Sequence, residues 1–206
     1  MRIAIIGGTG SFGRVLAERI QALGEEVVIG SRDSSRAKEI AAVIRVEGAA
    51  NYQAVEGADL VVLAVRSNAA LETARALAPV LGTTPLLCVA SDLTFTDNGV
   101  VPGRQTYSLA EHIDRIVEGP VAAGLQSLAA AHLAQTEPTE EDVLVCGDDP
   151  RAKEPSLELA GRLVRGRAID AGPLANARAL EGMTAVILNV NRRYKAQAGI
   201  RLVGLP

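Results

Sequence analysis

Near the start of the chain, Gly8-Thr9-Gly10-Ser11-Phe12-Gly13 has the composition and spacing of a loop that holds phosphate. Gly8, Gly10 and Gly13 fall in a G-x-G-x-x-G pattern. A tight turn, a close backbone approach to an anion and a close helix–strand contact each ask there for a residue without a side chain. Glycine-rich turns are common, so the neighbours matter. The apolar run Ile3-Ala4-Ile5-Ile6 ahead of the loop reads as a buried strand. Behind it, Phe12, Val15, Leu16, Ile20 and Leu23 recur at helical spacing up to Gly24, a residue type that ends helices. A helix starting in that loop aims unpaired N–H groups and a partial positive charge at whatever the loop encloses. The chemistry is capture of a dinucleotide pyrophosphate; the plain alternative is a strand-turn-helix without a ligand.

The next apolar run, Glu26-Val27-Val28-Ile29-Gly30, leads into Ser31-Arg32-Asp33-Ser34-Ser35-Arg36. An acid at the tip of this second strand would bind the adenosine ribose hydroxyls of NAD, whereas an arginine accommodates the 2′-phosphate of NADP. Here Ser31 can donate to a phosphate oxygen, Arg32 can clamp it or stack on the adenine, and Arg36 follows one helical turn on. Asp33 dissents, but its position also suits the cap of the next helix. The pattern favours NADP, the alternative being solvated arginines on a surface loop.

The elements that position these residues follow from the rest of the 206-residue chain. At 48% hydrophobic it can bury a substantial core, and a net charge of −3 excludes non-specific nucleic-acid binding through a basic face. No apolar stretch reaches the length of a membrane span, and no export leader is visible. Cys88 and Cys146 sit far apart in apolar runs, which reads as two buried free thiols in a reducing, cytoplasmic setting, and neither has metal-ligand company. Strands and helices alternate, which predicts an α/β fold: a doubly wound parallel Rossmann sheet, with a small C-terminal α/β part and a long C-terminal helix. Helices are expected at 37–46, 51–56, 68–81, 108–117, 128–134 and 150–165, with a long one at 174–198. Strands are expected at 58–65, 85–89, 120–125, 143–146 and 168–170. The polar stretch 90–107 shows no period and reads as a long loop. The acidic, proline-bearing segment 136–142 divides residues 1–138, an NADP-binding domain, from residues 139–206, a smaller domain closing the cleft. The apolar stripe Leu180, Met183, Val186, Ile187 and Val190 on the last helix suits a homodimer contact.

From end to end the chain resembles the F420-dependent NADP reductase family, in which a hydride passes between NADP and the deazaflavin coenzyme F420. The resemblance is carried by Gly7 to Gly13 with Ser31-Arg32, by Val145-Cys146-Gly147-Asp148-Asp149, by Asp170-Ala171-Gly172-Pro173-Leu174-Ala175-Asn176, by Thr184-Ala185-Val186-Ile187-Leu188-Asn189, and by Asn191-Arg192-Arg193-Tyr194-Lys195. It implies that Thr9 to Gly13, Ser31, Arg32 and Arg36 contact NADP, and that Ala64, Val65 and Arg66 pass beside its nicotinamide half. The chain departs from the family on the deazaflavin side. Members usually carry proline and tryptophan, then histidine, where this chain reads Arg66-Ser67-Asn68-Ala69. They also carry histidine in a segment that here reads Gln126-Ser127-Leu128-Ala129.

Hydride transfer between two bound rings needs stacking at close range and exclusion of water, with no compulsory general acid or nucleophile. Gln126 and Ser127 could bond the polar edge of a deazaflavin, with Thr184 adding one more bond. Val65, Leu128 and Met183 could pack its faces, or simply the core. Arg66, past a central strand tip, could bind the NADP pyrophosphate, an acidic tail on the partner or a substrate carboxylate, or pair with Glu72. His112 and His132, on predicted helices among polar neighbours, read as surface residues. Two alternatives to the F420 reading remain: an NADPH-dependent reductase of an imine or carbonyl acid, and a non-catalytic NADP-binding sensor.

Overall fold

The computed structural model describes residues 1–103 and 105–205. Its framework is an eight-stranded sheet. The first half runs β1 (Arg2–Ile6), α1 (Ser11–Ala22), β2 (Glu26–Ser31), α2 (Ser34–Ile44), β3 (Glu47–Ala50), α3 (Asn51–Val55), β4 (Leu60–Leu63), α4 (Ser67–Leu81) and β5 (Leu86–Cys88). A hairpin follows, β6 (Leu93–Thr96) and β7 (Gly99–Pro102). Then come α5 (Leu109–Asp114), β8 (Val121–Gly124), α6 (Ala130–Leu133), β9 (Val143–Gly147), α7 (Pro150–Leu163), β10 (Ala168–Asp170) and, after a short 3-10 turn at Leu174–Asn176, α8 (Ala177–Tyr194).

The strand order is β10-β9-β8-β5-β4-β1-β2-β3. From β8 to β3 every pairing is parallel, whereas β9 runs antiparallel to β8 and β10 parallel to β9. Strand order reverses between β1 and β4, and at such a switch point the helices leave on opposite faces and open a crevice. The strands from the stretch after residue 138 add to the edge of this same sheet.

Alternation along each strand builds two cores. Ile3 and Ile5 of β1 join Val27, Ile29, Leu60 and Val62 on one face, beneath α1 and α7. Ala4 and Ile6 join Val28, Val61, Leu63 and Cys88 on the other, beneath α4, α5 and the start of α8. Strands covered on both faces need no polar side, so β1 and β4 read as unbroken apolar runs.

Residues 90–107 hold the hairpin β6–β7 rather than an unstructured loop, and it pairs antiparallel from Leu93↔Pro102 to Thr96↔Gly99. Asn189 of α8 mimics a neighbouring strand, accepting from Val100 N at 2.9 Å and donating to Val100 O at 2.6 Å. A hairpin of exposed polar and β-branched residues needs this third partner, and periodicity within the hairpin cannot reveal it. β3 went unpredicted because Glu47-Gly48-Ala49-Ala50 has no apolar run, and its pairing with β2 imposes the extended form. The last helix starts at Ala177 and ends at Tyr194, where Lys195 takes a left-handed φ of 50°. α5 stops at Asp114 and α6 spans only Ala130–Leu133.

His132 is not a surface residue. It is 6% exposed, with Nδ1 2.7 Å from Glu141 Oε1 and Nε2 3.1 Å from Gln197 O. This contact fastens the C-terminal tail to the segment before β9, a pairing across 65 residues that a local reading of polar neighbours could not see. Close by, the buried Asp142 carboxylate binds the Arg167 guanidinium and accepts from Leu202 N at 2.8 Å. The thiols of Cys88 and Cys146 are free and buried, and burial pushes both up to about 12.

Candidate functional site

The loop after β1 is shaped by close approach. Gly7 has φ of 91°, and a Cβ there would lie 2.6 Å from Ala64 O, so the loop rests directly on the end of β4. A Cβ on Gly8 would lie 2.5 Å from Ile29 Cβ, and one on Gly13 would press into the carbonyl oxygen of Gly7. Both glycines are buried beneath the loop; their role is to let α1 and β2 approach. Gly10 caps α1 without a side-chain hydrogen bond, so the first-turn N–H groups of Ser11, Phe12 and Gly13 are left for a ligand. Ser11 is exposed at the helix start, while Phe12 packs onto the core.

The crevice in front of this loop has a volume of about 600 Å³. Gly7, Thr9 and Gly10 form its floor, Ser31, Arg32 and Arg36 one side, and Ala64, Val65 and Arg66 the other. Three stretches well separated in sequence thus meet at the neighbouring ends of β1, β2 and β4. Asp33 caps α2, accepting from Ser35 N at 3.0 Å and Arg36 N at 3.1 Å, which ties its carboxylate to the helix. Among the described residues the guanidiniums of Arg32, Arg36 and Arg66 make no hydrogen bond or ion pair. Arg66 does not pair with Glu72, although both line the crevice. Three arginines without a partner among the described residues thus face this crevice, against the two carboxylates of Asp33 and Glu72, which leaves its charge balance positive.

The other candidates lie two strands away. Leu63 pairs with Cys88 and Cys88 with Ala123, so the ends of β4, β5 and β8 stand side by side. Leu125, just after β8, has a left-handed φ of 68°, which a leucine adopts only where packing over-determines the backbone, and this turn presents Gln126 and Ser127. Gln126 Nε2 donates to Cys88 O at 3.1 Å, whereas its Oε1 is buried without a partner. Thr184 of α8 donates to Gln126 O at 2.9 Å and stands 3.1 Å from Ser91 Oγ. Ser91 was missed from sequence, since nothing local marks it; only the return of α8 over the β5 end makes it part of this cluster. Met183 packs beside Gln126 and Ser127 in a closed recess, separate from the arginine-lined crevice, with no room for a water molecule. Leu128 does not line it: it is 5% exposed and belongs to the core beneath α1.

One further buried carboxylate joins these parts. Glu181 on α8 is 3% exposed and accepts from Asp92 N at 3.1 Å and Leu109 N at 2.8 Å, tying the hairpin base and the start of α5 to α8. Burial raises its carboxyl to about 7 against the opposing pull of those N–H groups. Among the described residues, no group of three or more His, Cys, Asp or Glu could hold a metal ion. No described helix is long and apolar enough to cross a membrane.

A doubly wound sheet with a glycine loop at its switch point and an arginine-lined crevice in front of it defines a Rossmann-type dinucleotide-binding fold. The family model described as NADP oxidoreductase, coenzyme F420-dependent, matches residues 2–87. Over its whole length the chain is 36% identical to an F420-dependent NADP reductase of Methanothermobacter thermautotrophicus, covering 96% of that protein. It is 31% identical to the reductase of the same name from Methanocaldococcus jannaschii, covering 99%. The chain belongs to the F420-dependent NADP reductase family. A crystal structure described as a reductase of this kind, from an Arthrobacter species, superposes with a TM-score of 0.88 at 27% identity, covering 99% of this chain and 100% of that one. An imine reductase of Streptomyces aurantiacus shares the fold alone, with a TM-score of 0.62 at 16% identity over 95% of this chain and 62% of that one.

Proposed function

We propose that this chain is an oxidoreductase that transfers a hydride between NADP(H) and the deazaflavin coenzyme F420. Membership of the family supports the reaction, and the three unpaired guanidiniums around the crevice carry the choice of NADP. The pyrophosphate would lie on the Gly7–Gly13 loop, with the first-turn N–H groups of α1 facing it. Ser31, Arg32 and Arg36 would hold the 2′-phosphate, a dianion that an acid at this strand tip would repel. Ala64 and Val65 would border the nicotinamide, leaving Arg66 at the mouth.

The deazaflavin would enter from the β5–β8 side. The unpartnered Gln126 Oε1 suits an N–H on its polar edge, with Ser127 beside it. Thr184 positions Gln126 by donating to its carbonyl oxygen. When bound, the two coenzymes supply the redox chemistry; the chain orients them and excludes water. The reading divides the molecule at residue 138, with residues 139–206 closing the crevice through α8. It includes a homodimer through the second half of α8, where Val186 is 60% and Val190 37% exposed, although Leu180 and Met183 of the expected stripe are taken up by the chain's own core, and a cytoplasmic setting suited to two free thiols.

The direct test is the absorbance of F420 with NADPH, and separately with NADH, in the presence of the purified protein. Bleaching of the deazaflavin band with NADPH and little with NADH is the expected result. Tight NADPH binding without F420 reduction would overturn the assignment of the electron partner. Equal rates with both nicotinamides would overturn the choice of NADP.

A further inference from the structure

A polar atom in the wall of the crevice has no partner in the fold. Asn51 follows directly on β3, and the register Ser31↔Ala50 sets it beside the tip of β2. Its side chain leans over Gly30, where a Cβ would come within 3.0 Å of Asn51 Oδ1. That oxygen is buried and accepts no hydrogen bond, while the residue itself lines the crevice with Ser31, Arg32 and Arg36. No hydrogen bond holds the amide among the described residues; packing against Gly30 does. Buried amides without a partner are uncommon in folded proteins, and one bordering a crevice is a group kept for a ligand. The two amide atoms leave one planar carbon in divergent directions, so with Oδ1 against Gly30 the Nδ2 donor faces away from that wall.

We infer that Asn51 donates to the phosphorylated adenosine ribose and helps set the choice of NADP(H) over NAD(H). The inference rests on the NADP reading of the crevice. Proteins that bind NAD place an acid at the tip of the second strand to accept from both ribose hydroxyls. Here Gly30-Ser31-Arg32 occupies that tip, Asp33 is committed to capping α2, and the group leaning in from β3 is a neutral amide. An amide donates to a phosphate oxygen without adding charge; a carboxylate in the same volume would face the dianion and repel it. Asn51 thereby carries selectivity that the second strand alone does not.

The test measures equilibrium binding of NADPH and NADH to the full chain by nicotinamide fluorescence, for the parent, Asn51→Ala, Asn51→Asp and Arg32→Ala. Asn51→Ala is expected to weaken NADPH by about tenfold, one charge-assisted hydrogen bond, and leave NADH within about twofold. Asn51→Asp, equal in size and so safe for packing, is expected to weaken NADPH by more than tenfold while retaining NADH. Equal weakening of both nucleotides, or an unchanged NADPH-to-NADH ratio in both Asn51 variants, overturns the inference. If Arg32→Ala still narrows the ratio, the NADP reading survives that result; if Arg32→Ala leaves it unchanged too, the reading of the crevice fails as well.

Discussion

Glu181 makes the sharpest stability prediction. Its carboxylate sits 3% exposed between α8, the hairpin base and the start of α5, and it accepts from Asp92 N and Leu109 N. Removal from water raises its carboxyl from the ordinary 4.5 to about 7, with the charge of Asp92 adding to the rise. The folded state therefore holds this proton more tightly than the unfolded chain does. Below pH 4.5 both states are protonated and the residue contributes no pH dependence. Between about 4.5 and 7 the unfolded chain ionises first, so stability falls as pH rises. At about 1.4 kcal/mol per pH unit, the full loss comes to about 3 kcal/mol above pH 7. Glu181→Gln removes the titration and leaves a pH-independent cost of about 1–3 kcal/mol, because its Nε2 meets a backbone donor. Urea denaturation of both proteins from pH 4.5 to 8 isolates the effect, since the other titrating groups cancel in the difference. The stability of the parent relative to the variant is expected to fall by about 3 kcal/mol across that range. A difference that stays constant across that range to within the extrapolation error of the curves, about 1 kcal/mol, would refute the reasoning.

Asp142 titrates with the opposite sign. The Arg167 guanidinium holds its carboxyl well below the usual range, so its contribution is complete above about pH 4 and is lost on acidification. Asp142→Asn is expected to destabilise the fold at pH 7 and to loosen the tail at Leu202, read by urea denaturation and by faster hydrogen exchange of the last residues. Gly13→Ala sets a methyl against the Gly7 carbonyl, where neither backbone can yield; NADPH binding by titration calorimetry is expected to weaken by more than tenfold. Thr184→Val keeps the shape but removes both hydroxyl contacts, to Gln126 O and Ser91 Oγ. The KM for F420 is expected to rise roughly fivefold with that for NADPH unchanged, and a matched rise in both would place Thr184 outside the acceptor site.

The nucleotide side of this protein was legible in its sequence because its determinants are local. Gly7 to Gly13, the strand before them and the helix after them form one strand-loop-helix unit, and the close approaches at Gly7, Gly8 and Gly13 leave no room for a side chain. Ser31 and Arg32 follow the next apolar run at the distance one helix and two turns impose. The apolar runs at residues 3–6 and 60–63 identified the central strands for a similar reason: burial on both faces leaves no polar residue to blur them.

Other features depended on partners distant in sequence. β3 exists because β2 offers it a ladder, and the hairpin β6–β7 because Asn189, about ninety residues on, completes its edge. His132 looked solvated until Glu141 and Gln197 closed over it, and Asn51 had no visible role until its amide came to rest on Gly30. The composition and spacing of the chain by themselves determined a phosphate-binding α/β sheet, because short-range sterics and burial leave few other solutions. Which polar groups end up paired, buried or kept for a ligand was decided only in the tertiary structure, since a hydrogen bond or a burial cost depends on groups that chain order does not bring together.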